Sequence, residues 1–258
     1  MNTALITGAS SGIGLELARI HAAKGGDLVL VARSKDKLEA LAEELKAAHS
    51  IEVMVITEDL SVPNAASHVF EQTEALGIQV DVLINNAGFG GHGKFHKQAL
   101  ATSEQMIQVN IAALTSLTHY YLQGMVERKS GKILNISSTA SFLPGPFQAV
   151  YYATKAYVTS FTQAVAEEVA TYNITATALC PGPVATDFVA AGNLEGVDIW
   201  KDAKSARSVA ECGYNAMLKG ELVAFNEWKL KFMLNWITPF LPRKLVLKIS
   251  RQTMKKNT

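Results

Sequence analysis

Cysteine is scarce: the 258 residues include only Cys180 and Cys212. They lack CxxC spacing and could close at most one bridge, which excludes a disulfide scaffold and a cysteine-based zinc site and fits a reducing cytosol. An excess of charge of one sign is also missing, since 24 Lys and Arg face 23 Asp and Glu, for a formal net charge of +1. Without a global basic field, a nucleic-acid partner is not expected. Long apolar runs are absent too. The longest charge-free stretch near the end, residues 232–242, has 11 residues, short of the roughly 20 that a spanning helix needs. The first apolar run starts at Thr3 without a basic segment before it and leads into a glycine turn, so no signal peptide is expected. Hydrophobic residues, by contrast, make up 48% of the chain, which excludes intrinsic disorder and suffices for a sizeable core.

Those apolar residues fall into two alternating patterns. Short β-branched runs at 4–6, 28–31, 53–57, 82–84, 132–136, 175–179 and 222–225 read as strands buried on both faces. Longer segments at 14–24, 35–49, 64–76, 103–128, 152–171 and 205–219 read as helices, with Ile13, Leu17 and Ile20 on one stripe and Leu38, Leu41 and Leu45 on the next. Alternating β and α elements with right-handed crossovers predict an α/β fold, a doubly wound parallel sheet of about seven strands. No linker or repeat divides it, so residues 1–226 form one domain and 227–258 a basic, aromatic, helical C-terminal extension. Loops 88–99, 139–150 and 181–201 are expected to shape a pocket beyond the strand ends.

A glycine turn, Gly8, Ala9, Ser10, Ser11, Gly12, Ile13, Gly14, joins the first strand to the first helix. Glycines there allow positive φ, close approach of a phosphate and tight helix packing, while the helix start offers free N–H groups and partial positive charge. No Lys-Ser/Thr pair follows, so it is not a P-loop. A plain strand-to-helix connection without a ligand is the competing reading. Arg33 follows the second strand, where NAD-binding chains place an acid for the ribose 2′-hydroxyl. A guanidinium there pairs with a 2′-phosphate, so NADP(H) is expected ahead of NAD(H).

Tyr151 and Lys155 stand four apart, which places both on one helix face, and Ser138 ends the fifth strand thirteen residues earlier. With Asn110 on the preceding helix, Asp59 after the third strand, Asn85 to Gly88 as NNAG, and Pro181 to Thr186 as PGPVxT, the chain resembles the short-chain dehydrogenase/reductase family from Thr3 to about Phe225. That resemblance implies a Rossmann-type NADP-binding catalytic domain and an oxidoreductase that interconverts a carbonyl and an alcohol. It implies Tyr151 as general acid/base, Ser138 as donor to the substrate oxygen, Lys155 on the nicotinamide ribose, and Asn110 anchoring a water. It also implies cofactor contacts from the glycine turn, Arg33, Asp59, Leu60, Asn86, Ala87, Gly88, Tyr151, Lys155, Pro181, Gly182, Val184 and Thr186. An ammonium beside Tyr151 is expected to lower the phenol's pKa toward working pH. No metal is called for, because the six histidines show no ligand pattern. A nucleotide sensor of the same fold remains the alternative, although such a protein would be expected to lack the Tyr, Lys or Ser that are all present here.

The substrate is less legible. Phe142, Leu143, Pro144, Pro146 and Phe147, with Phe188, Val189, Leu194, Ile199 and Trp200, form either an apolar substrate wall or simply core and interface. If they form a wall, an apolar or lipid-like carbonyl substrate is expected. The family also implies a homodimer or homotetramer through the helices at 103–128 and 152–171. The net charge conceals a division: residues 229–258 carry eight basic residues and no acid, whereas residues 1–228 carry 16 basic and 23 acidic residues, sums of +8 and −7. The tail reads as a cover over the cleft or a dimer face, as a segment lying on an anionic membrane, or as a loose basic tail. The expected location is cytoplasmic, with peripheral membrane contact left open.

Overall fold

The computed structural model describes residues 2–256. The main sheet has seven strands, β1 (Thr3–Thr7), β2 (Asp27–Ala32), β3 (Val53–Thr57), β4 (Val82–Asn85), β5 (Gly131–Ile136), β6 (Ile174–Leu179) and β9 (Val223–Ala224). They run parallel in the order β3-β2-β1-β4-β5-β6-β9. A two-stranded parallel ribbon of β7 (Val184–Ala185) and β8 (Lys204–Ser205) lies in the long loop after β6. The seven-stranded doubly wound sheet matches the sequence expectation.

Side-chain alternation explains the two layers. Ala4, Ile6, Leu28, Leu30, Val82 and Ile84 point into one core, where α1 (Gly12–Ala22), α2 (Lys35–His49) and α8 (Ala206–Lys219) pack. Leu5, Val29, Val31, Leu83 and Ile133 point the other way, against α3 (Ala65–Ala75), α5 (Leu114–Arg128) and α6 (Ala149–Val169). Successive strand residues face opposite sides, so strands covered on both faces must be apolar throughout. Leu5 and Leu117 are fully enclosed or nearly so; truncating either to Ala is expected to cost about 2–5 kcal/mol.

The helix at 103–128 is longer and less regular than its periodicity indicates. It starts as α4 (Leu100–Ile107), widens into a π-helical turn at Gln108–Ala113, and resumes as α5. Such turns are favoured where a helix must re-aim a side chain, and this one contains Asn110. Helix α6 begins at Ala149, so Tyr151 lies inside its first turn. The tail holds α9 (Trp228–Phe232), a π turn at Met233–Ile237, a 3-10 turn at Thr238–Phe240 and α10 (Arg243–Thr253), with short α7 (Phe188–Ala191) in the loop before β8.

Strand order reverses between β1 and β4, where β1 pairs with both β2 and β4. Connections leaving the carboxyl ends of these neighbours go to opposite faces and open a crevice, the usual ligand position in such sheets. Behind it, buried Asn85 Nδ2 donates to Asn135 Oδ1 (2.9 Å) and Thr118 Oγ1 (3.1 Å), and Asn135 Nδ2 donates to Thr162 Oγ1 (2.9 Å). This polar ladder ties β4 and β5 to α5 and α6 and stiffens the crevice floor.

Candidate active site

A cavity of about 670 Å³ runs along the carboxyl edge of the sheet, from Arg33 at one end to Met254 at the other. At its centre is the glycine turn. Gly8 has φ +65°, and a Cβ on Gly14 would lie 2.4 Å from the Gly8 carbonyl oxygen, so a side chain at residue 14 would collide with the turn. Ser11 precedes α1 in extended conformation without a side-chain cap, leaving the first N–H groups of the helix free. Asn86 braces the turn: its Nδ2 donates to the carbonyls of Thr7 (2.9 Å) and Gly8 (3.2 Å), while the N–H groups of Asn86 and Ala87 donate to Thr7 Oγ1 (3.0 Å each). The Asn86 side chain thus shapes the cradle from behind.

At one end, Arg33 is joined by Ser34 and Lys37. Ser34 begins α2 without a side-chain cap, so two cations and a free helix start converge there. Lys37, one turn after Arg33, was not singled out in the sequence, although a basic residue in the first turn of this helix was the available signal. Asp59 lies nearby and accepts from Ser61 N (2.9 Å). Burial opposes the Asp59 charge, but the Ser61 hydrogen bonds and the Arg33 guanidinium outweigh it and hold the carboxyl below its ordinary range. Leu60, Gly88, Pro181, Gly182, Val184 and Thr186 line the same cavity, as do Ser10, Gly12 and Ile13; Gly14 lies behind it. The free N–H groups, the glycine cradle and the distal cations fit a dinucleotide with an extra phosphate.

At the other end, Ser138, Tyr151 and Lys155 come together on the cavity wall. Ser138 Oγ accepts from Ala140 N (3.1 Å), which leaves its hydroxyl hydrogen to donate. Burial is the largest influence on Tyr151 and pushes its phenol above the ordinary value, with a hydrogen bond to Ser138 acting the other way. This differs from the downward shift expected of a neighbouring ammonium. Burial is the reason, while Lys155 Nζ, 5.8 Å from the Tyr151 ring centroid, donates to the carbonyl of Ile136 (2.7 Å). Lys155 is itself buried, and burial lowers its pKa to about 8.

Asn110 does not line the cavity. Its Oδ1 accepts from Phe89 N (3.1 Å), and its Nδ2 donates to Phe89 O (3.0 Å) and Thr154 Oγ1 (3.0 Å). Both amide hydrogens are therefore used in pinning the loop after β4 to α6. Tyr152 is on the wall, its ring so close to Gly145 that a Cβ there would lie 2.2 Å from it.

The apolar wall is a subset of the expected residues. Phe188, Ile199 and Trp200 line the cavity, and Phe188 packs on Tyr151 with ring centroids 5.4 Å apart. Val189 and Leu194 support them from behind. Phe142 turns away onto Phe225 (5.4 Å), and Pro146 and Phe147 border a separate cavity. Met254 completes the wall from the far end of the chain. It is held by His92, whose Nε2 donates to the Met254 carbonyl (2.8 Å), and by an antiparallel bridge between Val197 and Lys256. Neither Met254 nor His92 carried a sequence signal for this contact. Among the described residues, no three His, Cys, Asp or Glu cluster to hold a metal ion, and no helix is long and apolar enough to cross a membrane.

The short-chain dehydrogenase family model matches residues 2–195. The very-long-chain 3-oxoacyl-CoA reductase of Rattus norvegicus is 34% identical over 187 residues, covering 71% of this chain and 59% of that protein; the chain thus spans under two thirds of that relative's length. The 3-oxoacyl-[acyl-carrier-protein] reductase of Aquifex aeolicus is 30% identical over 186 residues, 72% of this chain and 75% of that one. A short-chain dehydrogenase from Sphingobium yanoikuyae, solved in complex with NADPH, superposes with a TM-score of 0.85 at 29% identity over 100% of this chain and 99% of its own. With the family model matching well over half of its length, and with a nucleotide cradle and a Ser, Tyr and Lys cluster on one wall, the chain belongs to the short-chain dehydrogenase family.

Proposed function

We propose that this protein is an NADP(H)-dependent oxidoreductase that interconverts a carbonyl and a primary or secondary alcohol on an apolar substrate. The observation that carries the reading is a single cavity with Arg33 and Lys37 at one end and Ser138, Tyr151 and Lys155 beside an apolar wall at the other. The names of the rat and Aquifex relatives as 3-oxoacyl reductases, and the NADPH in the Sphingobium structure, support it. Residues 1–226 would form the catalytic domain and 227–258 its extension, of which the last two residues lie outside those described.

The chemistry that NADP(H) supplies when bound is hydride transfer to or from the carbonyl carbon. In the reducing direction Tyr151 gives its phenolic proton to the carbonyl oxygen. Burial keeps that phenol protonated, so the proton is available. Ser138 donates to the same oxygen as negative charge develops on it. Lys155, anchored on Ile136, has further N–H groups that would hold the ribose hydroxyls. The glycine turn and the α1 start would hold the pyrophosphate, and Arg33 and Lys37 the 2′-phosphate. Asn110 acts as a positioning residue through Phe89 and Thr154. Phe188, Ile199, Trp200 and Met254 favour a lipid-like or bulky apolar ketone over a sugar.

The test is loss of NADPH absorbance against a panel of 3-oxoacyl esters, bulky ketones and sugar ketones. Turnover of the first two classes is expected; tight NADPH binding without turnover on any of them would replace this reading with that of a nucleotide sensor. Self-association through the outer faces of α5 and α6, where part-exposed Tyr157 stacks on Phe161 (5.7 Å), belongs to the same reading. A monomer mass by light scattering would remove it.

A further inference from the structure

The tail from residue 228 onward has two unlike faces. Its inner face is anchored on the catalytic body: Leu230 comes within 2.8 Å of where a Gly182 Cβ would sit, and Val246, Ser250 and Met254, one turn apart on α10 and its end, are buried. Its outer face is aromatic. Trp228, Trp236 and Phe240 are 74%, 68% and 81% exposed, and Phe232 is exposed between them at the same four-residue spacing. On α10, Leu245 and Ile249 also face outward. Exposed apolar residues scattered singly are ordinary, whereas a concentrated set of large ones marks an interaction face.

The charge within this segment has one sign. Every charged residue from 229 onward is basic. Lys244, Lys248 and Arg251 of α10 face Lys94 and His96 across a second cavity of about 540 Å³, whose lining among the described residues includes Phe95, Phe147 and Leu247 but no carboxylate. None of these four Lys and Arg side chains, nor His96, is paired with a carboxylate among the described residues. Phe147 holds φ +70°, a costly conformation for an aromatic residue, and its carbonyl accepts from Gly93 N (2.8 Å). The cavity wall is therefore a fixed part of the fold.

The charge distribution selects the occupant. A second copy docked by this face across a two-fold axis would set the six cations of residues 228–251 against six. An anionic bilayer meets both features, because Trp and Phe settle at the headgroup level while Lys and Arg meet phosphates. The −7 of residues 1–228 gives the rest of the chain no net attraction to such a surface, so the attraction rests on the basic segment. We propose that residues 228–251, with the loop at 94–96, form a docking surface for an anionic lipid bilayer, the second cavity receiving a headgroup phosphate. This goes beyond the reductase reading and does not depend on it.

Co-sedimentation of the full chain with phosphatidylglycerol/phosphatidylcholine vesicles, and with phosphatidylcholine vesicles alone, tests the proposal by binding rather than turnover. Binding is expected to the anionic vesicles only and to weaken with salt. Converting Lys244, Lys248 and Arg251 together to Glu should lower partitioning by about a hundredfold or more. Trp236→Ser with Phe240→Ser should lower it at every salt concentration. All these side chains are exposed, and unchanged circular dichroism melting and NADPH binding would show that the variants fold. Absence of wild-type binding, equal binding to neutral vesicles, or variants that split a dimer while leaving vesicle binding intact would each overturn the proposal.

Discussion

Lys155 Nζ donates a 2.7 Å hydrogen bond to the carbonyl of Ile136, two residues before Ser138. The end of β5 thus holds the lysine and the serine in one rigid frame, and Ser137 between them reinforces it by donating to Lys155 O (3.0 Å). Tyr151 joins the frame through the first turn of α6.

Removing the phenolic proton should stop the chemistry and spare the fold. Tyr151→Phe is expected to lower kcat by at least about a hundredfold, in the range of lost general acid catalysis. NADPH binding, read by fluorescence titration, should persist. Wild-type turnover in this variant would remove Tyr151 from its role.

The buried ammonium should leave a mark on stability. The Lys155 pKa falls from 10.5 in the unfolded chain to about 8 in the fold. Between those values the unfolded chain holds more protons, so this group makes stability rise with pH from about 8 to 10.5. Urea unfolding of the wild type and Lys155→Met at pH 7.5 and 10 should show the difference moving toward the wild type by roughly 2 kcal/mol. Other titrating groups cancel in that comparison. An unchanged difference would show that Lys155 keeps its ordinary pKa.

At the far end of the cavity, Arg33→Asp should weaken NADP(H) binding by about tenfold or more relative to NAD(H), the effect of losing a charge-assisted contact to a phosphate. Lys37→Ala should move the preference the same way by less. A preference unchanged in both variants would place the 2′-phosphate elsewhere.

These predictions differ in how far the sequence alone leads to them. The glycine turn, Arg33 and the Tyr151/Lys155 pair are local patterns: each depends on a few successive residues on one turn or one helix face, which spacing encodes directly. The sheet was legible for the same reason, since strands buried on both faces must be apolar at every position. The π turn around Asn110 had no glycine or proline to announce it. Phe142 shows the limit of composition, because an apolar residue near the site could face either the cleft or Phe225, and only packing decides. Met254 shows the limit of distance: its partner His92 is 162 positions earlier, and no periodicity links them.

That long-range contact is testable by itself. The Met254 carbonyl can only accept, so His92 must carry its hydrogen on Nε2, and the ring also stacks on Phe147 with centroids 5.6 Å apart. His92→Ala removes both contacts without touching the nucleotide end of the cavity. A net hydrogen bond of about 1 kcal/mol corresponds to roughly fivefold faster local opening. Hydrogen exchange of the amides beside the Val197–Lys256 bridge, among them Met254 N–H and Lys255 N–H, should accelerate by about that factor. NADPH affinity should hold, while KM for a bulky ketone should rise as Met254 loses its fixed place on the wall. Unaltered exchange at the bridge would mean that the apolar packing of Met254 with Leu194 and Val197 holds the tail without His92.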